Sequence, residues 1–181
     1  MTDFLQLFVF MFAAVNPAAA AAAPAGKRLP IEVSAMGLGL GVALAGAAAL
    51  LSNSILDGLG VEPETFRVGA GVVFLIGGAL AAWNGGAAHR GPWEGRPAAV
   101  FPLALPVLAT PAVLAAAVSY GVDRGKAEAL LAAAICVGIA GVFVALRVGR
   151  FEAACDAVAR VTGGLLILVA AGLIVSGVRA I

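Results

Sequence analysis

The sequence predicts an all-α integral membrane protein whose six transmembrane helices form two inverted three-helix repeats, with helices 1 and 4 broken near the midplane. Three observations predict it. The 181 residues are 62% apolar and 12% charged, with a mean hydropathy of +1.08. Several charge-free runs reach about twenty residues, the length that crosses a hydrocarbon core about 30 Å thick. Nearly all charge is gathered in short connections at 27–28, 57–67, 89–96, 123–128 and 147–160, which leaves no separate soluble domain. The second half also repeats features of the first, so 1–181 reads as one transmembrane domain with a repeat over 1–93 and another over 94–181.

The first span is placed at 4–25. Small residues and Lys27-Arg28 follow it, as after a signal peptide, but a basic leading region is missing and its early charge is Asp3, so it reads as a retained helix. The second, 33–55, carries Gly37, Gly39 and Gly41, which imitate a phosphate loop but follow no strand and read as helix packing. The third, 68–88, holds Gly69, Gly71, Gly77 and Gly78, and the fourth, 98–120, holds Pro102, Pro106 and Pro111. The fifth is 129–146. The sixth, 161–178, holds Gly163, Gly164 and Gly172, read as further close-packing positions. Between the last two, 147–160 reads either as an interfacial stretch with Phe151 turned to the lipid or as a solvated turn. Cys136 and Cys155 lack the spacing of a metal or redox pair and read as packing residues.

Three features repeat at nearly one offset. Arg67-Val68-Gly69-Ala70-Gly71 lies over Arg160-Val161-Thr162-Gly163-Gly164, Ala45-Gly46 over Ala140-Gly141, and Asn16-Pro17 over Thr110-Pro111. An odd number of spans per repeat makes the halves enter the membrane with opposite polarity, as in many secondary transporters. Lys27, Arg28, Arg90, Arg96, Arg147, Arg150 and Arg160 fall on one side, against Arg67, Arg124, Lys126 and Arg179 on the other. The first side is therefore expected in the cytoplasm and both termini outside it, in a multi-pass protein of the cell inner (plasma) membrane.

The two Pro breaks carry the functional reading. Proline has no N–H and clashes with the carbonyl four residues earlier, and irregular backbone at membrane depth lines a cavity or is buried in protein. Asn and Thr are helix N-caps and Pro suits the first helical position, so Asn16-Pro17 and Thr110-Pro111 each read as the start of a half-helix. From residue 4 to the first break is roughly 18 Å at about 1.5 Å per residue, close to mid-bilayer. The half-helix N-termini, with their unpaired N–H groups, favour a carboxylate, and the carbonyls of Ala13 and Val107, freed by the prolines, can accept from an ammonium. The competing reading is that the prolines only kink packed helices, with Asn16 and Thr110 bonded to neighbouring backbone. On the half-helix reading, replacing Pro111 by Ala is expected to restore a continuous fourth helix and to reduce transport more than expression.

No Asp, Glu, Lys, Arg or His falls in the middle of a span, which speaks against a carboxylate proton relay or a carboxylate cation site. The single histidine, His89, sits in a connection beside Arg90 and Trp93 and reads as interfacial. Nucleophilic chemistry lacks a base, so an enzyme is not expected. A net charge of +1 gives no face for nucleic acid.

The chain resembles the MarC family of bacterial and archaeal membrane proteins, which includes the SnatA-type transporters, over nearly its whole length. The resemblance rests on Asn16-Pro17, on Phe66-Arg67-Val68-Gly69-Ala70-Gly71 with the apolar run after it, and above all on the Pro-rich stretch from Phe101 to Pro111. That family is similar in plan to six-helix exporters of the LysE type, and the resemblance implies a carrier of small neutral amino acids such as glycine and alanine. By position it implies substrate contacts from Asn16, Pro17, Ala18 and Ala19 on one side and Thr110, Pro111 and Ala112 on the other, with Pro24, Pro102 and Pro106 as further helix breaks. The chain departs from the family pattern where six alanines precede Pro24 and where Thr110-Pro111-Ala112 replaces the usual Gly-Pro-Gly.

The expectation is thus a secondary transporter of glycine- or alanine-like zwitterions working by alternating access. The alternatives are a passive small-solute pore and an accessory membrane subunit without transport. The implied partners are the lipid bilayer and the solute, with a homo-oligomer left open and no nucleic acid. No cofactor is implied, and Na+ or H+ coupling would have to use backbone carbonyls and hydroxyls.

Overall fold

The computed structural model describes residues 2–22, 29–85, 97–146 and 151–181, and among them the secondary structure is helical without strands. Pro24, Lys27, Arg28, His89, Arg90, Trp93, Arg96, Arg147 and Arg150 lie outside the described residues. The elements are α1 (Thr2–Val15), α2 (Pro17–Ala22), α3 (Ile31–Leu50), α4 (Ser52–Leu59), α5 (Pro63–Asn84), an irregular segment Ala99–Leu108, α6 (Pro111–Asp123), α7 (Lys126–Ala145) and α8 (Glu152–Ala180). Five stretches are long and apolar enough to cross a membrane, and the bent pair Ala99–Leu108 and Pro111–Asp123 makes up to six. This is a multi-pass all-α membrane protein.

Helix boundaries differ from the sequence expectation where polar residues were read as connection. The second span ends at Leu50, but a further helix follows it directly past residue 55: Leu51 N–H donates to Ala47 and Ile55 N–H to Leu51, and α4 stops at Gly60, whose left-handed φ of 64° ends it. The third begins at Pro63, a good first helical residue, so Arg67 lies within α5 rather than before it. The last starts at Glu152, and Arg160 and Cys155 belong to α8. Their polarity is accommodated locally. Arg160 pairs with Asp156 at 2.9 Å and donates to the carbonyls of Ala82 (3.4 Å) and Trp83 (2.8 Å) at the C-terminus of α5, where a cation is favoured.

Small residues decide how closely the helices approach. Helices α5 and α8 pack antiparallel along their length. A side chain at Gly71 would strike Ile174 and Ala170, one at Gly78 the Gly163 carbonyl, and one at Gly163 the Ala82 nitrogen. Gly69, Gly164 and Gly172 face open space instead, so only part of the expected glycine set serves packing. On α3, Gly37 and Gly41 seat Leu103 and Leu108 of the irregular segment, while Gly39 touches nothing. Neither cysteine is in a disulfide, and both are buried.

Candidate functional site

The first break is built by one side chain. Helix α1 continues to Asn16, whose N–H donates to the Phe12 carbonyl at 3.0 Å. Asn16 then turns to φ 48°, a left-handed conformation that Asn tolerates better than most residues, and Pro17 opens α2. Its side chain is used at both ends. Oδ1 accepts from Ala19 N–H at 3.2 Å, as a helix cap does, and Nδ2 donates to the Ala159 carbonyl on α8 at 3.1 Å.

The second break is wider. Phe101 and Leu105, each before a proline, are extended (φ −133°, ψ 122° and φ −125°, ψ 125°), as the steric clash with the proline ring requires. Ala109 also leaves helical geometry (φ −100°, ψ 68°), and the two parts of the span meet at 58°. Thr110 caps α6, its Oγ1 accepting from Val113 N–H at 3.0 Å. The same hydroxyl donates to the Ala14 carbonyl at 3.2 Å, which ties the fourth span to the break in the first.

The two breaks line one cavity of about 490 Å³, with Ala13, Ala14, Val15, Asn16 and Ala19 from the first span and Pro106, Thr110, Pro111 and Ala112 from the fourth. Pro17 and Ala18 are not in its wall. The alanines of α2 are buried, and Ala18 and Ala19 pack on Ala159. Close packing against the neighbouring spans therefore accounts for most of the alanine run, and Ala19 alone of α2 reaches the cavity. Pro102 is buried away from it, beside Leu103 and Ala104.

The opposite wall comes from α5 and α8, through Val73, Ile76, Gly77, Leu80, Ala81, Gly85 and Leu166. Sequence reasoning missed this wall. It assigned Gly77 to helix packing, yet a side chain there would touch only Ala112 and Leu166, each at 3.8 Å. The available signal was the adjacent Gly77-Gly78: one glycine serves α8 and its neighbour, a helical step of about 100° away, faces elsewhere.

The electrostatics are those of backbone. Among the described residues no charged side chain lines the cavity, and the two polar side chains there, Asn16 and Thr110, are already hydrogen-bonded to backbone, as the kink-only reading expected. The half-helices offer fewer donors than several each. In α2 Pro17 has no N–H, Ala19 is capped by Asn16 and Ala20 donates to the Asn16 carbonyl, which leaves Ala18. In α6 the same count leaves Ala112, a cavity residue. On the acceptor side, Ala13 loses its helical partner because residue 17 is proline, and Val15 loses its partner because Ala19 N–H goes to Asn16. Both residues are in the wall, whereas Val107, whose carbonyl is freed by Pro111, is not. Among the described residues no three His, Cys, Asp or Glu side chains converge as a metal site.

A model of the MarC family, described as MarC family integral membrane protein, matches residues 1–181, the whole chain. Comparison with curated proteins and with solved structures returns no match.

Proposed function

Because the chain belongs to the MarC family of integral membrane proteins, we propose that it is a secondary carrier of small neutral amino acids, glycine- or alanine-like zwitterions, and that the cavity between the two breaks is its substrate site. One observation carries the reading: two breaks lying in the two halves of the sequence converge on a single cavity. Its volume falls in the usual range for small-molecule sites. A zwitterion matches what the wall offers. The Ala112 N–H at the start of α6, with the partial positive charge of that helix end, suits a carboxylate, and the backbone acceptors at Ala13 and Val15 suit an ammonium. Burying a net charge here would be costly, because no charged side chain among the described residues lines the cavity to balance it.

Alternating access of two inverted halves, 1–93 and 94–181, is the transport mode this reading adopts. It is supported by the packing of α3 on its counterpart α7 and of α5 on its counterpart α8. Asn16 and Thr110 act as positioning residues that hold the broken backbone open at the site. Both termini lie outside the cytoplasm in this scheme, and the chain carries no enzymatic step. A coupling ion, if one is used, is held by carbonyls and hydroxyls.

Flux of labelled glycine and alanine into proteoliposomes, with and without a sodium or proton gradient, tests the proposal. Saturable uptake competed by unlabelled substrate is expected. Unsaturable flux would mark a pore, and no flux from correctly inserted protein would remove the carrier reading.

A further inference from the structure

We propose that Gly77 is a specificity-determining residue: the missing side chain at this position sets how large a side chain the substrate can carry beside its carboxylate. The inference rests on the carrier reading above and deepens it. Gly77 lies in the cavity wall on α5, across from Ala112 on α6 and Leu166 on α8. The Ala112 N–H is the donor assigned to the substrate carboxylate, and in an α-amino acid the side chain leaves from the carbon bonded to that carboxylate. What stands opposite Ala112 therefore stands next to the substrate's side chain.

Helix packing does not account for this glycine. On α5 the close approach to α8 is made by Gly71 and Gly78, where a β-carbon would fall 2.6 Å from Ile174 Cγ1 and 2.8 Å from the Gly163 carbonyl oxygen. At Gly77 the nearest atoms to a β-carbon would be Ala112 Cβ and Leu166 Cδ2, each at 3.8 Å, an ordinary van der Waals distance. Alanine would fit there with nothing displaced, and a helix interior prefers alanine to glycine. The backbone is helical at this point, so no left-handed turn demands glycine either. Gly39, Gly69 and Gly164 are equally free of contact, but they face open space, whereas Gly77 faces the cavity.

A side chain at 77 would change the cavity more than its own volume suggests. The lining of α5 and its cap runs from Val73 to Gly85, roughly 18 Å at about 1.5 Å per residue, so the 490 Å³ is drawn out along the helix rather than gathered at one level. At the level of Gly77 a single β-carbon would already reach contact with methyl groups on two other helices, and it would take up the room between α5, α6 and α8 there. The neighbouring wall residues hold the width less firmly. Ile76 and Leu80 are 57% and 53% exposed, so their side chains have space to rotate away, whereas a β-carbon is fixed by the backbone. Glycine and alanine differ by one methyl, and an apolar site discriminates one carbon too many by about 10- to 200-fold.

The test uses the full chain in proteoliposomes and compares kcat/KM for alanine uptake with that for glycine uptake. In Gly77→Ala the alanine-to-glycine ratio is expected to fall about tenfold or more, with a melting temperature equal to or above the parent's because the added methyl displaces nothing. Adding Ala112→Gly to that variant removes the methyl facing position 77 and is expected to return most of the ratio. Gly69→Ala, on α5 but facing open space, is expected to leave the ratio unchanged. An unchanged ratio in Gly77→Ala, an equal loss of both substrates, a lowered melting temperature, no return in the double variant, or the same fall in Gly69→Ala would each overturn the inference, while saturable uptake by the parent keeps the carrier reading standing. A parent without saturable uptake removes that reading and the inference with it.

Discussion

Thr110→Val tests whether the two breaks are held together as one structure. Valine keeps the shape and β-branching of threonine and deletes only the hydroxyl. That hydroxyl accepts from Val113 N–H and donates to the Ala14 carbonyl. Loss of an N-cap costs about 1 kcal/mol. Loss of an interhelical hydrogen bond in a membrane bundle adds about 0.6 kcal/mol on average and up to about 1.7, so the sum is about 1.6–2.7 kcal/mol. At about 2–4 °C per kcal/mol for a chain of this size, the melting temperature should fall by about 3–11 °C. Thermal unfolding in detergent, followed by intrinsic tryptophan fluorescence, reads it, and Thr110→Ser should recover most of the loss because it restores the oxygen. Amino acid uptake should fall further than stability does, because the Ala14 carbonyl then competes with substrate for donors. A Thr110→Val protein that melts and transports like the parent would refute the claim that this hydroxyl joins the breaks.

The remaining predictions concern other parts of the same framework. Gly163→Leu should abolish folded protein, since its side chain would fall on the α5 backbone at Ala82, whereas Gly164→Ala, facing open space, should change the melting temperature by less than about 2 °C; expression and melting read both. Pro111→Ala should leave the fourth span bent, because Phe101, Leu105 and Ala109 are also out of helical geometry, and a circular dichroism spectrum with added helix would contradict this. A double-mutant cycle on Arg67→Gln and Asp123→Asn should give a coupling of about 1–3 kcal/mol, the pair being bidentate and about four-fifths buried; a value near zero would mark it as an ordinary surface pair.

Much of the helical layout was legible in the residues, because charge-free runs of membrane length have few other solutions. Asn16-Pro17 and Thr110-Pro111 marked where the backbone leaves helical geometry, since a capping residue followed by proline is poorly compatible with a continuous helix. The limits of reading lay where a polar residue is satisfied by a distant partner. Arg160 looks like a loop residue until the carbonyls of Ala82 and Trp83 are beside it, and Arg67 until Asp123 is. For the same reason the use of Asn16 was half legible: its cap on Ala19 is local, but its bond to Ala159 crosses 143 positions. The alanines after Pro17 stand out in the sequence as a departure from the family pattern, and the fold makes most of them packing against the neighbouring spans. The cavity wall on α5 was hidden because a glycine facing a cavity and a glycine facing a helix are the same letter.

The most direct test of the central claim is substrate protection of a thiol placed in the cavity. Ala112→Cys, in a background with Cys136 and Cys155 replaced by alanine, is reacted with a small methanethiosulfonate reagent in proteoliposomes, with rising alanine or glycine. The account predicts labelling that slows with substrate over the same concentration range that saturates uptake. Labelling at an unchanged rate under saturating substrate, in a protein that still transports it, would place the substrate site somewhere other than between the two breaks.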